Sequence, residues 1–185
     1  MLRNLFGAGL SSKHARASAE SLYGSAVNAA RKAVFYNDLG VPDTVDGRFE
    51  MISLHVYLLL RRLKSTGAEG KKVSQMLFDT MFDDMDRTLR EMGVGDLGVG
   101  RRVKEMAKAF YGRVAAYDQG LEAATEDVLG MALSRNVFRT EEWKAPGILS
   151  LAAYVRAVVR QLDEAENGTL VAGDFSFPSP VGVAS

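Results

Sequence analysis

The sequence predicts an all-α protein, a single bundle of about six helices with an irregular C-terminal tail. Three observations predict it. Apolar residues recur at three- and four-residue spacing through most of the 185 residues. No run of any length alternates apolar and polar residues with the two-residue period of a half-buried strand. Clusters of Gly, Pro, Ser and Asp punctuate the periodic stretches where helices would turn.

The first helix is expected from about Ser11 to Val34, rich in Ala, with Leu22, Val27 and Val34 on its apolar side. Residues 37–42 (NDLGVP) break it. Asp43 or Thr44 can cap the second helix, which runs to about Lys64. Its Phe49, Ile52, Val56, Leu59, Leu60 and Leu63 keep helical spacing, and apolar residues spill onto its other faces, as expected of a central helix. A loop at 65–70 leads to a third helix ending near Met92, striped by Val73, Leu77, Met81, Met85, Leu89 and Met92. Asp83 with Arg87 and Asp86 with Arg90 are spaced as (i, i+4) pairs on it. Residues 93–100 (GVGDLGVG) end that helix. Arg101–Gln119 form a fourth, and shorter helices follow near Glu122–Ser134 and Ile148–Leu162, with Pro146 before the last. The chain thus divides into an N-terminal segment (1–10), a helical domain (11–164) and an extended or mobile tail (165–185). Thr169–Val171 and Asp174–Phe177 are the tail's candidate extended pieces.

A chain of this length buries roughly 70% of its unfolded surface, so it needs no disulfide or structural metal to hold a core. It has no cysteine, which excludes a thiolate zinc site, an iron–sulfur cluster and a Cys nucleophile. Basic and acidic residues balance at 23 each, so no overall basic field draws the protein to DNA. Charge is unevenly placed: residues 1–36 and 101–113 are basic, and 79–96 are acidic. Such opposed patches suit steering of a protein partner. The most apolar stretch, Met51–Leu60, is far shorter than the roughly 20 residues of a membrane span. The start, MLRNLFGAGL, has no signal-peptide pattern; its apolar and basic residues suit a membrane-surface or docking segment as well as a frayed end.

No catalytic or metal motif emerges. Gly93-Val-Gly-Asp-Leu-Gly98 matches GxGxxG, but a helix precedes it where the dinucleotide fingerprint needs a strand. Gly93 there reads as a positive-φ helix cap. Asp79, Asp83 and Asp86 share a helix face, yet neither His14 nor His55 stands in the Glu-x-x-His spacing of a metal-binding bundle. His55, in an apolar helix, reads as a core or interface residue. Met76, Met81 and Met85 suit an adaptable binding surface or an ordinary core.

Two long blocks carry a resemblance. Phe35–Leu63 (FYNDLGVPDTVDGRFEMISLHVYLLLRRL) and Leu77–Tyr117 (LFDTMFDDMDRTLREMGVGDLGVGRRVKEMAKAFYGRVAAY) resemble the ubiquinol–cytochrome c chaperone family in order and spacing. The resemblance implies a helical chaperone assisting biogenesis of cytochrome b, the haem-carrying membrane subunit of the ubiquinol–cytochrome c oxidoreductase (cytochrome bc1 complex, respiratory complex III). It implies binding to nascent or unassembled cytochrome b, with no cofactor and no catalysis. Mitochondrial members of the family carry an import segment and act with a small partner protein near the ribosome. This chain begins almost at the shared region and so resembles a bacterial form, working in the cytoplasm with a peripheral position at the inner membrane left open, as is a small co-chaperone.

Carried over by position, the family pattern falls on Asp43, Gly47, Arg48, Phe49 and His55, then on Asp86, Arg90, Glu91, Gly93, Asp96, Phe110, Tyr111, Gly112 and Tyr117. The candidate partner-contact set is Asp43, Arg48, Phe49, His55, Asp86, Arg90, Glu91, Gly93 and Asp96, with Arg101 and Arg102 from the basic run. Arg48, Asp86, Arg90, Glu91 and Asp96 are expected to form a charged network that is either structural or client-facing. The alternative reading is a helical protein that binds haem, a quinone or another small molecule, with His55, tyrosines and the glycine loop lining its pocket.

Overall fold

In the computed structural model, which describes residues 10–180, the chain is a helical bundle without a β-strand among the described residues. The elements are α1 (Ser12–Ala30), α2 (Val34–Asn37), α3 (Val45–Leu63), α4 (Gly67–Glu91), α5 (Asp96–Glu122), α6 (Asp127–Leu133), a π-helical turn (Ser134–Phe138), α7 (Pro146–Glu164) and α8 (Asn167–Val171). The segment preceding Leu10, with its Arg3 and apolar residues, lies outside the described residues, as do 181–185.

Helix α3 is the axis of the bundle. Thr44 caps it by accepting from the Gly47 amide at 3.1 Å. A Cβ on Gly47 would stand 2.0 Å from the Pro42 carbonyl oxygen, so only glycine lets the 41–44 turn fold back on the first helical turn. Thirteen of its nineteen residues are buried, against α1, α4 and α7. Helix α1 packs closely on α4 and α3 because its inner face is small: Ala15, Ala19, Ala26 and Ala30 are fully buried around Leu22.

Helix α4 ends where Gly93 takes φ +82. Its amide donates to the Arg90 carbonyl at 2.9 Å, and that of Val94 to the Leu89 carbonyl at 3.1 Å, the Schellman arrangement. The connection is shorter than the glycine content of 93–100 suggests. Helix α5 already starts at Asp96, with Gly95 as cap, because a helix tolerates Gly98 and Gly100 when Asp96 favours its positive N-terminal end.

The tail also differs from expectation. Thr169–Val171 are not extended; they belong to α8. Arg62 brings this about by donating to the Leu162 and Ala165 carbonyls, at 2.8 and 3.0 Å, and to the Asn167 side chain at 2.7 Å. Residues 174–180 form an irregular strap along α1. Ser21 and Ser25 donate to the Gly173 and Phe175 carbonyls at 2.8 and 2.6 Å, and Lys32 to that of Pro178 at 3.2 Å. Phe175 and Phe177 turn inward and are buried.

Candidate functional site

A cleft of about 710 Å³ opens between the first half of α3, the second half of α4 and the first half of α5. Its floor is apolar. Phe49 and Ile52 come from α3, Met85, Leu89 and Met92 from α4, and Met106 and Ala109 from α5. Val45 and Met92 at its mouth are 60% and 55% exposed, high for large apolar residues. Five arginines and four acids line it as well, Arg31 arriving from the end of α1 and Arg139 from beyond the π turn. Arg139 reaches that position on a left-handed backbone, φ 56.

Most of the acids are engaged. Glu50, only 1% exposed, forms a two-pronged ion pair with Arg113. Burial pushes its carboxyl above the usual range, and Arg113 pulls it back. Asp46 pairs with Arg139 at 3.1 Å. Asp84 accepts from Arg87 and, at 2.7 Å, from the Tyr23 hydroxyl. Behind the Glu50–Arg113 pair, Tyr117 is buried, with no partner for its hydroxyl among the described residues. Burial, and then Glu50, raise its pKa.

The sequence-predicted residues fall into three places. Arg48, Phe49 and Arg102 line the cleft, and Asp43 holds Arg48 from its edge at 2.6 Å. Arg48 therefore stands outside the expected charged network. Asp86, Arg90 and Asp96 do come together at the α4–α5 turn, where Arg90 donates to both acids and all three are exposed enough to meet water. Glu91 makes no ion pair among the described residues, and Arg87 pairs with Asp84 in place of Asp83, one residue nearer. Gly93 sits in the exposed turn, and Arg101 is exposed on α5.

His55 lies in the core, fully buried. Its Nδ1 donates to the Met51 carbonyl at 2.7 Å, so its Nε2 is left to accept from the Tyr154 hydroxyl at 2.9 Å. Phe35, Tyr154 and Phe177 surround the ring. Burial lowers its pKa to about 4, so it is neutral at ordinary pH. It lines neither the cleft nor a second groove of about 470 Å³ between α1 and the strap. With both ring nitrogens engaged it offers a haem no ligand, and it lies out of a partner's reach.

The methionine expectation divides. Met81 is fully buried and Met76 packs partly buried on the core, so these two form no adaptable surface, while Met85, 7% exposed, faces the cleft floor. Met85, Met92 and Met106 line the cleft; sequence reasoning places Met92 only in the third helix's stripe and does not single out Met106. Glu50 and Arg113 were also missed. A signal for them existed: Glu50 interrupts an apolar run, and Arg113 lies three and four residues from the core positions Phe110 and Tyr117.

Among the described residues no cluster of His, Asp and Glu is arranged to hold a metal ion, and no helix is long and apolar enough to cross a membrane. Fold and cleft together define a helical bundle with an arginine-rimmed apolar trough. Residues 37–177 match the model of the ubiquinol–cytochrome C chaperone family, and the chain belongs to that family. It is similar to the crystal structure of the Cbp3 homolog from Brucella abortus, with a TM-score of 0.81 and 41% identity, covering 91% of this chain and 92% of that one. It is 27% identical over 137 residues to ubiquinol-cytochrome-c reductase complex assembly factor 1 of Xenopus laevis, covering 74% of this chain and 68% of the relative. Protein CBP3, mitochondrial, of Saccharomyces cerevisiae is 29% identical over 153 residues, 79% of this chain but 44% of its own length. The chain thus spans about two thirds of the frog relative and under half of the yeast one.

Proposed function

We propose that this protein is an assembly chaperone of the ubiquinol–cytochrome c oxidoreductase that holds nascent or unassembled cytochrome b through the α3–α4–α5 cleft. Membership of the chaperone family, with relatives named as assembly factors of this complex, supports the process. The observation that carries the binding mode is an apolar floor left open to solvent and rimmed by arginine. A membrane subunit not yet in place exposes apolar helix surface, and a trough of this kind shields it without chemistry. The protein acts by binding and catalyses nothing. It works on the cytoplasmic face, peripheral to the inner membrane where its client inserts, and the small co-chaperone of the mitochondrial system is a further partner to seek.

The test is deletion of the gene in its own host. Reduced-minus-oxidised spectra of the membranes are recorded while the cytochrome b subunit is probed by immunoblot. Joint loss of this complex's b-type haem and its subunit, with other cytochromes retained, is the expected result. Normal assembly of the complex would remove the proposal.

A further inference from the structure

The cleft runs between three helices, α3, α4 and α5. Helices α3 and α5 each pack on α4. They reach one another through long side chains, Glu50 to Arg113 and Tyr57 to Tyr117. Each wall presents its cleft residues at helical spacing: Val45, Phe49 and Ile52 on α3, then Met85, Leu89 and Met92 on α4. On α5 the corresponding positions are Met106, Ala109 and Arg113. Residues so spaced form one stripe along a helix, so three stripes converge on a single trough. In helical bundles such a trough is closed by another helix packed along it. Among the described residues none closes the mouth, and Val45 and Met92 are more than half exposed.

The rim sets the charge of whatever fills it. Asp46, Glu50 and Asp84 are neutralised by Arg139, Arg113 and Arg87. Arg31 and Arg102 line the same cleft and make no ion pair among the described residues, against Glu105 as the one lining acid in that condition. The uncompensated excess is positive.

We infer that the cleft takes one amphipathic helix of the client, its apolar stripe on the trough and its acidic side chains beside Arg31 and Arg102. The inference rests on the client-binding role proposed above and adds the segment's conformation and charge. A lone helix is marginal in water, and the trough supplies the apolar contact that stabilises it.

The test uses the purified full chain and two labelled synthetic peptides of about 18 residues, five helical turns. Both carry the same leucine stripe; one bears glutamate on its polar face, the other lysine. Fluorescence anisotropy measures binding, and circular dichroism of the mixture reads peptide helix formation. The glutamate peptide binds at least about ten-fold more tightly, given opposed signs of contact at the rim. It gains helix on binding. The doubly substituted Arg31→Glu, Arg102→Glu protein reverses the preference, and Met92→Glu weakens both peptides. All three positions are exposed, so the variants keep the fold, which their own circular dichroism verifies. Equal binding of the two peptides, binding without helix gain, or indifference to Met92→Glu overturns the inference. Failure of both peptides to bind, while cytochrome b still co-purifies with the chain, overturns the inference and leaves the chaperone reading standing. Binding as expected beside normal complex assembly in the deletion strain does the reverse.

Discussion

Helix α3 buries thirteen of its nineteen residues, whereas α5, at 27 residues, buries four. Both wall the same cleft. The difference separates two jobs that one helix performs poorly. α3 is locked by packing against α1, α4 and α7, so it fixes where the cleft floor lies. α5 touches the bundle mainly along Val99, Phe110 and Tyr117 and keeps most of its surface for something else. Where the two meet, the join is polar: Glu50 with Arg113, and the Tyr57 hydroxyl donating to Asp118 at 2.7 Å. A buried ion pair contributes little net stability compared with an apolar contact, but it tolerates no loss of a partner. It fixes the position of α5 while leaving its neighbours free of interdigitated packing.

The sharpest way to break this contrast is Arg113→Ala. Glu50 is 1% exposed, so losing its partner strands a buried carboxylate. The expected loss is about 3–5 kcal/mol, measured by urea denaturation at pH 7. Replacing both residues together, Glu50→Leu with Arg113→Met, recovers most of it. With Arg113 gone, burial acts on Glu50 against only the weaker pull of Arg139, and its folded pKa rises further above the unfolded value. A carboxyl raised in that way carries stability that is present at low pH and lost as pH rises through the folded pKa, so the single variant partly recovers on acidification. A loss under about 1 kcal/mol would show that α5 is held elsewhere.

Five residues along α3, His55 gives the opposite pH signature. Its pKa falls to about 4 on burial, from an unfolded value near 6.5. The stability this represents is full above about pH 6.5 and is lost as pH falls towards 4. At roughly 1.4 kcal/mol per pH unit, the loss reaches about 3 kcal/mol. Thermal melts of wild type and His55→Phe between pH 7 and 4 read it. The wild type shows the slope and the variant lacks it, at about 1–3 kcal/mol lower stability at neutral pH because the Tyr154 hydroxyl loses its acceptor. Parallel curves would mean that the ring is not held neutral by the core.

Those two residues also mark what a sequence discloses. The all-α class, the central position of α3 and the cap at Gly93 were legible, because period, apolar content and a helix-ending glycine are local signals. The His55 environment was legible in kind, as a core histidine, but its partners were not: Tyr154 lies 99 residues away on α7. The strap was illegible for a related reason. Ser21 and Ser25 donate their hydroxyls to backbone carbonyls of the strap, which every residue possesses. The candidate site was half legible. The family pattern reached Arg48 and Phe49 in the cleft and otherwise the Arg90 cluster outside it, while Met92, Met106 and Arg139 belong to the cleft only because three helices converge there. Convergence of that kind leaves no period in any one segment.

The smallest stability effects decide the most about function. Arg90 bridges Asp86 and Asp96 at the α4–α5 turn with its side chain 49% exposed, and water competes for each of those bonds. Arg102 lines the cleft, exposed and without an ion pair among the described residues. Arg90→Ala and Arg102→Glu are therefore both expected to melt with the wild type. In the deletion host, each variant is expressed from a plasmid and the b-type haem of the complex is measured. Arg102→Glu lowers it, since a reversed charge at the rim opposes an acidic client helix, while Arg90→Ala leaves it at the wild-type level. If Arg90→Ala lowers it and Arg102→Glu does not, the client contact belongs to the outer turn of α4 and α5, and the cleft loses its role. Equal loss in both would join the two surfaces into one site, wrapped around the first turns of α5.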